Sequence, residues 1–241
     1  MKISGWKTKM CRAHVGILAL AVASALAACG GSDGGEQGKP LDLTILHIND
    51  HHSTLESKSK TLKLSAGGAA AVDVAVDAGG FPRVTAAIAE LAAKSPNVLK
   101  LHAGDALTGT LYFNRAGADG EADATMINTV CFDAFTLGNH EFDKGDTGLK
   151  GFLDLMRKGS CKTPVLSANV QFGPASALNP TRASGYVSPS TVVERDGQKI
   201  GIVGLTIAQK TKASSSPDPD TTFQDETVAA QREIDALRAK G

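Results

Sequence analysis

Residues 132–145 read FDAFTLGNHEFDKG, an apolar run that is followed at once by a polar cluster. The run has the length and composition of a buried strand, and GNHE at 138–141 follows it directly. The same arrangement occurs twice upstream, with DHH at 50–52 after residues 43–48 and GD at 104–105 after residues 98–101. Because the carboxyl ends of parallel strands line the binding crevice of an open α/β sheet, the three clusters predict one site in an α/β fold.

The residue types of these clusters favour a metal site. Asp, His and Asn offer hard oxygens and imidazole nitrogens, which suit Mn²⁺, Zn²⁺, Fe or Mg²⁺. Each cluster alone has an ordinary structural explanation, because Asp and Asn often cap helices and turns, and a histidine in a loop is often solvated. The occurrence of all three in order, each at the end of a strand, favours the metal site over these alternatives.

Composition and charge indicate the size of the core and bear on whether the protein binds nucleic acid. A chain of 241 residues with 42% apolar residues is long enough to bury one sizeable core. Lys+Arg and Asp+Glu number 25 each, and only 5% of the residues are aromatic. A balanced charge and few stacking side chains give no support for a nucleic-acid partner, and we expect none.

The first 28 residues predict a signal peptide. Lys2, Lys7, Lys9 and Arg12 form a basic start, and residues 15–28 are apolar but too short to span a bilayer comfortably. This stretch ends in LAACG, which resembles a bacterial lipobox and implies cleavage before Cys29 and lipid modification of its thiol. We therefore expect a lipid-anchored protein of the cell envelope, on the outer membrane facing the periplasm or on the cell surface. The alternative is an ordinary cleaved secretory signal.

The remaining chain divides into a tether and a folded domain. Residues 29–40 are Gly-rich and polar, which is typical of a flexible tether, and the domain runs from 41 to 241. Apolar periodicity predicts helices at 81–94, 121–130, 147–158 and 225–240, a further strand at 163–170, and a polar loop at 210–220. Asp196-Gly197 predicts a hairpin between strands 190–195 and 199–206, and Val72, Val74 and Val76 suggest a short strand.

Two cysteines belong to the folded domain. Cys131 and Cys161 each come directly before a predicted strand, so parallel pairing of those strands would bring them to one edge of the sheet. In an oxidising compartment this placement favours a disulfide. The alternative is two separately buried thiols.

Taken together, these motifs resemble the calcineurin-like metallophosphoesterase superfamily, and within it the 5′-nucleotidase/UDP-sugar hydrolase/2′,3′-cyclic phosphodiesterase family. The stretches that carry the resemblance are LTILHINDHHS (43–53), GGFPRVTAAIAEL (79–91), LHAGDALTGT (101–110), FDAFTLGNHEFDKG (132–145), PVLSANV (164–170) and VVERDGQKIGIVGLT (192–206). The resemblance implies a four-layer α-β-β-α metallophosphoesterase sandwich, of which this chain would form the N-terminal portion.

The resemblance also implies a site for two divalent metal ions, which could be Mn, Zn, Fe, Co or Mg. Asp50 and His52 would bind the first metal, Asp105 would bridge both, and Asn139 would bind the second through its amide oxygen. A pair of cations of this kind supplies a hydroxide nucleophile and offsets the charge of a phosphoryl group.

Two further residues are implied as catalytic. By resemblance, His140 would stabilise the charge that develops on the phosphoryl group or protonate the leaving oxygen. Asp143 would accept a hydrogen bond from His140 and fix its tautomer. The alternatives are a plain metal ligand for His140 and a helix cap for Asp143.

The function implied is an exported phosphoesterase that hydrolyses nucleotides or related small phosphate esters for nucleotide scavenging. The family takes three further metal ligands from its second half, among them a lone His and a G-H-x-[HQ] motif, yet none of the six histidines here follows His140. We therefore expect an inactive fragment of a longer enzyme. A catalytically dead lipoprotein binding module and a thiosulfohydrolase-like relative are the alternatives.

Overall fold

The computed structural model describes residues 39–65, 67–68 and 70–241. The expected signal peptide, the lipidation site at Cys29 and most of the tether lie outside these residues. Residues Leu41–Gly241 form one compact unit. Among the described residues, no helix is both long enough and apolar enough to cross a membrane.

A four-stranded parallel sheet forms the centre of this unit. Its strands are β1 (Thr44–Ile48), β4 (Val98–His102), β5 (Ala134–Thr136) and β6 (Val165–Leu166), in the order β1-β4-β5-β6. The pairing is parallel throughout, with Thr44 opposite Val98, Leu101 opposite Ala134 and Phe135 opposite Val165. The α/β class that the sequence predicts is confirmed, and the carboxyl ends of β1, β4 and β5 meet at one edge.

Six α-helices accompany the sheet in the described part of the chain. They are α1 (Phe81–Ala92), α2 (Tyr112–Arg115), α3 (Glu121–Ile127), α4 (Gly145–Lys158), α5 (Ala208–Ser214) and α6 (Glu226–Arg238). A 3-10 helix, His140–Phe142, follows β5. Pro82 lies in the first turn of α1, where its missing N–H costs no hydrogen bond. The Asp225 carboxylate caps α6 by accepting from the N–H of Val228 at 3.0 Å.

The core lies against β5 and the helix that follows it. Phe135 and Leu137 are fully buried, and the apolar stripe of α4 packs on the same core with Leu149, Phe152, Leu153 and Met156. These four recur at spacings of three and four residues, which places them on one helix face. Complete burial of such a side chain stabilises the fold by about 1.5–3 kcal/mol, so this stripe fixes α4 beside the strand that carries the GNHE cluster.

Two antiparallel hairpins flank the sheet. Strands β2 (Ser57–Leu64) and β3 (Val72–Gly79) pair only with each other among the described strands, and every residue of β2 is exposed. Strands β8 (Ser190–Arg195) and β9 (Gln198–Val203) form the hairpin predicted around Asp196-Gly197, whose φ angles are +47° and +74°. The two short strands β7 (Val170–Gln171) and β10 (Thr222–Phe223) also pair antiparallel.

Two predicted segments differ from the structure. The single strand predicted over 163–170 is wrong, because β6 ends at Leu166 and β7 begins at Val170. There the chain leaves β5, since Ser167 N donates to Ser188 O at 2.9 Å and Ala168 N to Gly204 O at 2.7 Å. The loop predicted over 210–220 is wrong in its first part, which belongs to α5.

Cys131 and Cys161 lie just before β5 and β6, the two neighbouring strands at one side of the sheet. A disulfide joins them, and their Cα atoms are 5.1 Å apart. The bridge therefore stands at the amino ends of these strands, and the polar clusters stand at the carboxyl ends.

Candidate metal centre

The loops after β1 and β4 run side by side and are joined by backbone hydrogen bonds. Asp50 N donates to Gly104 O at 3.0 Å, His52 N to Asp105 O at 3.2 Å and Ser53 N to Ala106 O at 2.9 Å. These bonds continue the pairing of the two segments past the end of the sheet, although the register shifts by one residue between Asp50 and His52. The pairing carries Asp50 and His52 to the same place as Asp105.

Five non-glycine residues in these loops have left-handed backbone conformations. They are Asp50 (φ +51°), His52 (+43°), Ser53 (+49°), Asp105 (+53°) and Thr108 (+65°). Each such residue costs on the order of 1–2 kcal/mol relative to an ordinary conformation. A concentration of this strain at one edge of the sheet is typical of a functional site, because the surrounding structure must hold it in place.

Three candidate donors converge at this edge. His52, Asp105 and His140 each offer a ligand atom, and these atoms lie within 4.8 Å of one another. The Nδ1 of His52 lies 3.2 Å from Leu107 O, so it carries the proton and leaves Nε2 as the nitrogen that is available to a metal. The Oδ1 of Asp105 accepts from His140 N at 2.9 Å, which fixes the carboxylate and leaves its second oxygen for a cation. The donor set fits a divalent metal.

Asp50 and Asn139 are the other two members of the predicted ligand set. Asp50 is half-exposed, with one carboxylate oxygen 3.7 Å from Nε2 of His52. Asn139 is buried at the start of the 3-10 helix, and its amide nitrogen donates to Ser215 Oγ at 3.3 Å. That contact engages the nitrogen of the amide, while the oxygen is the atom that a metal would take.

His140 and Asp143 form a hydrogen-bonded pair beside these donors. Nδ1 of His140 donates to Oδ2 of Asp143 at 2.7 Å, and Thr108 Oγ1 lies 3.1 Å from the same carboxylate oxygen. The rings of His140 and His52 are 4.6 Å apart and nearly perpendicular. Because Asp143 engages Nδ1, the other ring nitrogen of His140 is the one available to a phosphoryl or leaving-group oxygen.

The comparisons with known proteins agree with this geometry. The family profile described as calcineurin-like phosphoesterase matches residues 43–202. The chain belongs to the calcineurin-like phosphoesterase family. A probable 5′-nucleotidase of Treponema pallidum is 42% identical over 228 residues, which cover 95% of this chain and 35% of that protein.

A relative and a solved structure from Haemophilus influenzae agree with this family assignment. The NAD 5′-nucleotidase of that organism is 44% identical over 203 residues, which cover 84% of this chain and 31% of that protein. A solved structure of the H. influenzae NAD nucleotidase has a TM-score of 0.73 at 45% identity, covering 84% of this chain and 37% of that one. The chain therefore spans about a third of the length of the curated relatives it matches.

Glu141 has a structural role in the candidate site that sequence reasoning missed. It is 1% exposed, and its carboxylate accepts three backbone N–H bonds, from Asp105 at 2.9 Å, Ala106 at 2.7 Å and Gly138 at 2.6 Å. Burial raises the pKa of Glu141 to about 7, the N–H donors oppose this rise, and the nearby Asp105 charge adds to it. Glu141 thus ties the loop after β4 to the loop after β5.

Two glycines allow these loops to approach each other. A Cβ on Gly138 would lie 2.6 Å from Asp105 N and would also overlap the Asp105 carboxylate. A Cβ on Gly104, whose φ is +94°, would lie 2.5 Å from Gly138 N. The glycines of the GD and GNHE motifs are therefore required by packing of the loops against each other.

The arrangement suits attack on a phosphorus ester. Two divalent cations would supply a hydroxide nucleophile and offset the phosphoryl charge. Asp50, His52, Asp105 and Asn139 are the described residues that would hold them. His140, whose ring is held by Asp143, is the group of this chain that would transfer a proton.

Proposed function

We propose that this chain forms one part of a dimetal phosphoesterase that hydrolyses nucleotides or related phosphate esters. The observation that carries the proposal is the His140–Asp143 pair standing beside the convergent donors His52 and Asp105. A module that only binds a ligand has no need of a histidine held in one tautomer by a carboxylate. The names of the relatives, 5′-nucleotidase and NAD 5′-nucleotidase, support a nucleotide phosphate as the substrate class.

The 241-residue chain on its own should bind metals weakly and hydrolyse little. Asp50, His52, Asp105 and Asn139 are four ligands for two cations, and no histidine follows His140 in the sequence. Phosphate release from 5′-AMP in Mn²⁺ or Zn²⁺ by the purified chain should therefore stay near background. Turnover at a rate ordinary for enzymes would contradict this part of the proposal.

A chimaera tests the catalytic role directly. Residues 41–241 would replace the corresponding N-terminal segment of the H. influenzae NAD 5′-nucleotidase, to which this chain is 44% identical over 203 residues. We expect the chimaera to release phosphate from 5′-AMP. In that chimaera, His140→Ala should lower kcat by about 10²–10⁴-fold, the ordinary contribution of a positioned proton-transfer group.

The matched control is His47→Ala, which removes an exposed histidine of β1 that lies outside the site. It should leave kcat unchanged. A chimaera that folds and binds two metal equivalents but releases no phosphate would sink the proposal and favour a binding module.

We also propose that the protein is exported and anchored by lipid on Cys29. The LAACG stretch supports this, and so does the Cys131–Cys161 disulfide, because structural disulfides form and persist mainly in oxidising compartments. Expression in a Gram-negative host followed by detergent phase partition should place the protein in the detergent phase. Cys29→Ala should move it to the aqueous phase. If the Cys29→Ala protein instead partitions like the wild type, lipidation of Cys29 is contradicted.

A further inference from the structure

A chain of hydrogen bonds between buried and partly buried groups runs behind the loops that follow β1 and β4. Gly104 N donates to Nδ1 of His102 at 3.1 Å, Nε2 of His102 lies 3.0 Å from Nδ1 of His51, and Nε2 of His51 lies 3.2 Å from Oδ1 of Asp123. His102 is 1% exposed and Asp123 is 0% exposed. The chain links the loops after β1 and β4 to helix α3.

These contacts fix the tautomer of both histidines. Nδ1 of His102 accepts from Gly104 and so bears no proton, which leaves the single proton of a neutral ring on Nε2. That proton is donated to Nδ1 of His51, so His51 must carry its own proton on Nε2 and donate it to Asp123. Burial and the neighbouring His51 hold the pKa of His102 well below its usual value, which agrees with a neutral ring.

The second oxygen of Asp123 binds the same loop again. Ser53 Oγ donates to Oδ2 of Asp123 at 3.0 Å, and Ser53 is completely buried. The carboxylate therefore engages the residues on both sides of His52. His52 and Ser53 both have left-handed backbones, so these two contacts hold the turn in a conformation that it would not keep unaided.

We propose that Asp123 is a positioning residue, which acts through His51, Ser53 and His102 to hold His52 and Asp105 in their metal-binding positions. The inference rests on the proposed function only in taking His52 and Asp105 as metal ligands. Asp123 itself makes its contacts to neutral donors, so its removal leaves the His51 N–H and the Ser53 hydroxyl without acceptors. Residues that orient metal ligands in this way typically change metal affinity by about 10–100-fold when they are removed.

The first test needs no metal. Long-range ¹H–¹⁵N correlation spectra of the metal-free chain should show both His51 and His102 with the proton on Nε2. Asp123→Ala should give His51 a mixture of tautomers, and Asp123→Asn should restore the wild-type state. The side-chain amide that Asp123→Asn introduces can still accept from His51 through its oxygen, and its nitrogen can donate to Ser53.

The second test measures the loop and its metal affinity. In Asp123→Ala, hydrogen exchange of the His52 and Ser53 amides should accelerate, and Zn²⁺ titrated alone should bind about 10–100-fold more weakly. The matched control is Asp133→Ala, which removes a carboxylate with two partners at the opposite edge of the sheet, Lys100 N at 2.8 Å and Arg195 Nη2 at 2.7 Å. It should lower stability but change neither the exchange of these amides nor the tautomers.

The outcomes separate this inference from the proposed function. A proton on Nδ1 of His51 in the wild-type chain would overturn the inference, and so would Asp123→Ala with unchanged exchange at His52 and Ser53. Absence of zinc binding in a chain that shows the expected tautomers and exchange would count against the metal site and leave the positioning of the loop supported.

Discussion

Two buried carboxylates hold the loops that follow β1, β4 and β5, and neither belongs to the predicted ligand set. Glu141 accepts from backbone groups of the second and third loops, and Asp123 accepts from side chains of the first. A buried carboxylate is costly unless it is fully hydrogen-bonded, so its position is strongly fixed by its donors. The same bonds fix the donors, which include the peptide of Asp105.

Removal of Glu141 should destabilise the protein more than removal of an exposed glutamate. Glu141→Ala leaves one buried and two partly buried N–H groups without their acceptor, and loss of an acceptor for a buried donor costs about 1–3 kcal/mol. We expect a loss of at least ~2 kcal/mol in the free energy of unfolding, measured by urea denaturation. The control Glu121→Ala removes an exposed side chain that accepts from Ala118 N, and it should cost less than ~1 kcal/mol. Equal losses in the two variants would show that Glu141 does not tie the loops together.

Gly138→Ala should lower both the stability of the protein and its zinc affinity, whereas Gly151→Ala should raise the stability. The new methyl group would overlap the Asp105 carboxylate, so both stability and zinc affinity should fall. Gly151 lies in α4, and nothing stands within 4 Å of the place that a methyl group would take there, so Gly151→Ala should raise stability by about 0.5–1 kcal/mol. Urea unfolding of the two variants measures the expected loss and gain of stability, and zinc titration of Gly138→Ala measures the expected loss of affinity. Wild-type zinc affinity in Gly138→Ala would contradict the close approach of the loops.

At the scale of elements, the sequence predicts those parts whose apolar pattern is local. Strands β1 and β4, helices α1 and α4 and the Asp196-Gly197 hairpin agree with their predicted positions to within a few residues. The strand over 163–170 does not, because its backbone partners at Ser188 and Gly204 lie far along the chain. Helix α5 has no apolar stripe, and its buried Thr211 instead bonds Ile207 O at 2.6 Å through its hydroxyl.

The site, too, has residues that a local sequence pattern predicts and residues that it does not. The motif residues Asp50, His52, Asp105, Asn139 and His140 are adjacent to strand ends, so strand order brings them to one edge of the sheet. Glu141 and Asp123 act through contacts that span 35 and 70 residues. No local pattern predicts such contacts, since they depend on how the loops and α3 pack.

The β2–β3 hairpin should contribute little to global stability. Leu62 and Leu64 are 43% and 46% exposed, and the two strands pair only with each other among the described strands. The double variant Leu62→Ser, Leu64→Ser should therefore change the free energy of unfolding by less than ~0.5 kcal/mol. Leu137→Ala, at a fully buried position, should cost about 2–5 kcal/mol in the same urea experiment. A loss above ~1.5 kcal/mol in the double variant would mean that another surface covers these leucines in the folded protein.

At the scale of the whole molecule, the two edges of the sheet differ in how they are held. At the amino edge, Arg195 binds Asp133 at 2.7 Å and Val98 O at 2.7 Å, so the β8–β9 hairpin is fastened to the sheet. The disulfide stands at the same edge. The carboxyl edge holds five of the seven non-glycine residues with left-handed backbones in the described part of the chain, together with the candidate ligand donors. The backbone strain thus lies mainly at the carboxyl edge, and the disulfide and the Arg195–Asp133 ion pair stabilise the opposite edge of the same sheet.

This separation predicts that the disulfide governs stability without governing metal binding. The bridge joins residues 30 apart, and closing a loop of that length removes unfolded-state entropy worth about 3–4 kcal/mol in the chain-entropy model. The variant Cys131→Ser, Cys161→Ser should therefore lose about 2–4 kcal/mol in urea unfolding, and wild-type protein in reducing agent should match it.

The control is Cys29→Ser, which changes a cysteine outside the bridge. Its free energy of unfolding should equal that of the wild type both with and without reducing agent. Zinc affinity of the folded double variant should equal that of the wild type, because the bridge lies at the far ends of β5 and β6 from the donors. A double variant with unchanged stability but weaker zinc binding would contradict this prediction, because the amino edge would then affect the metal site and not the stability. A protein that needs this bridge to remain folded would be poorly stable in a reducing cytosol, so the same experiment bears on the proposed export.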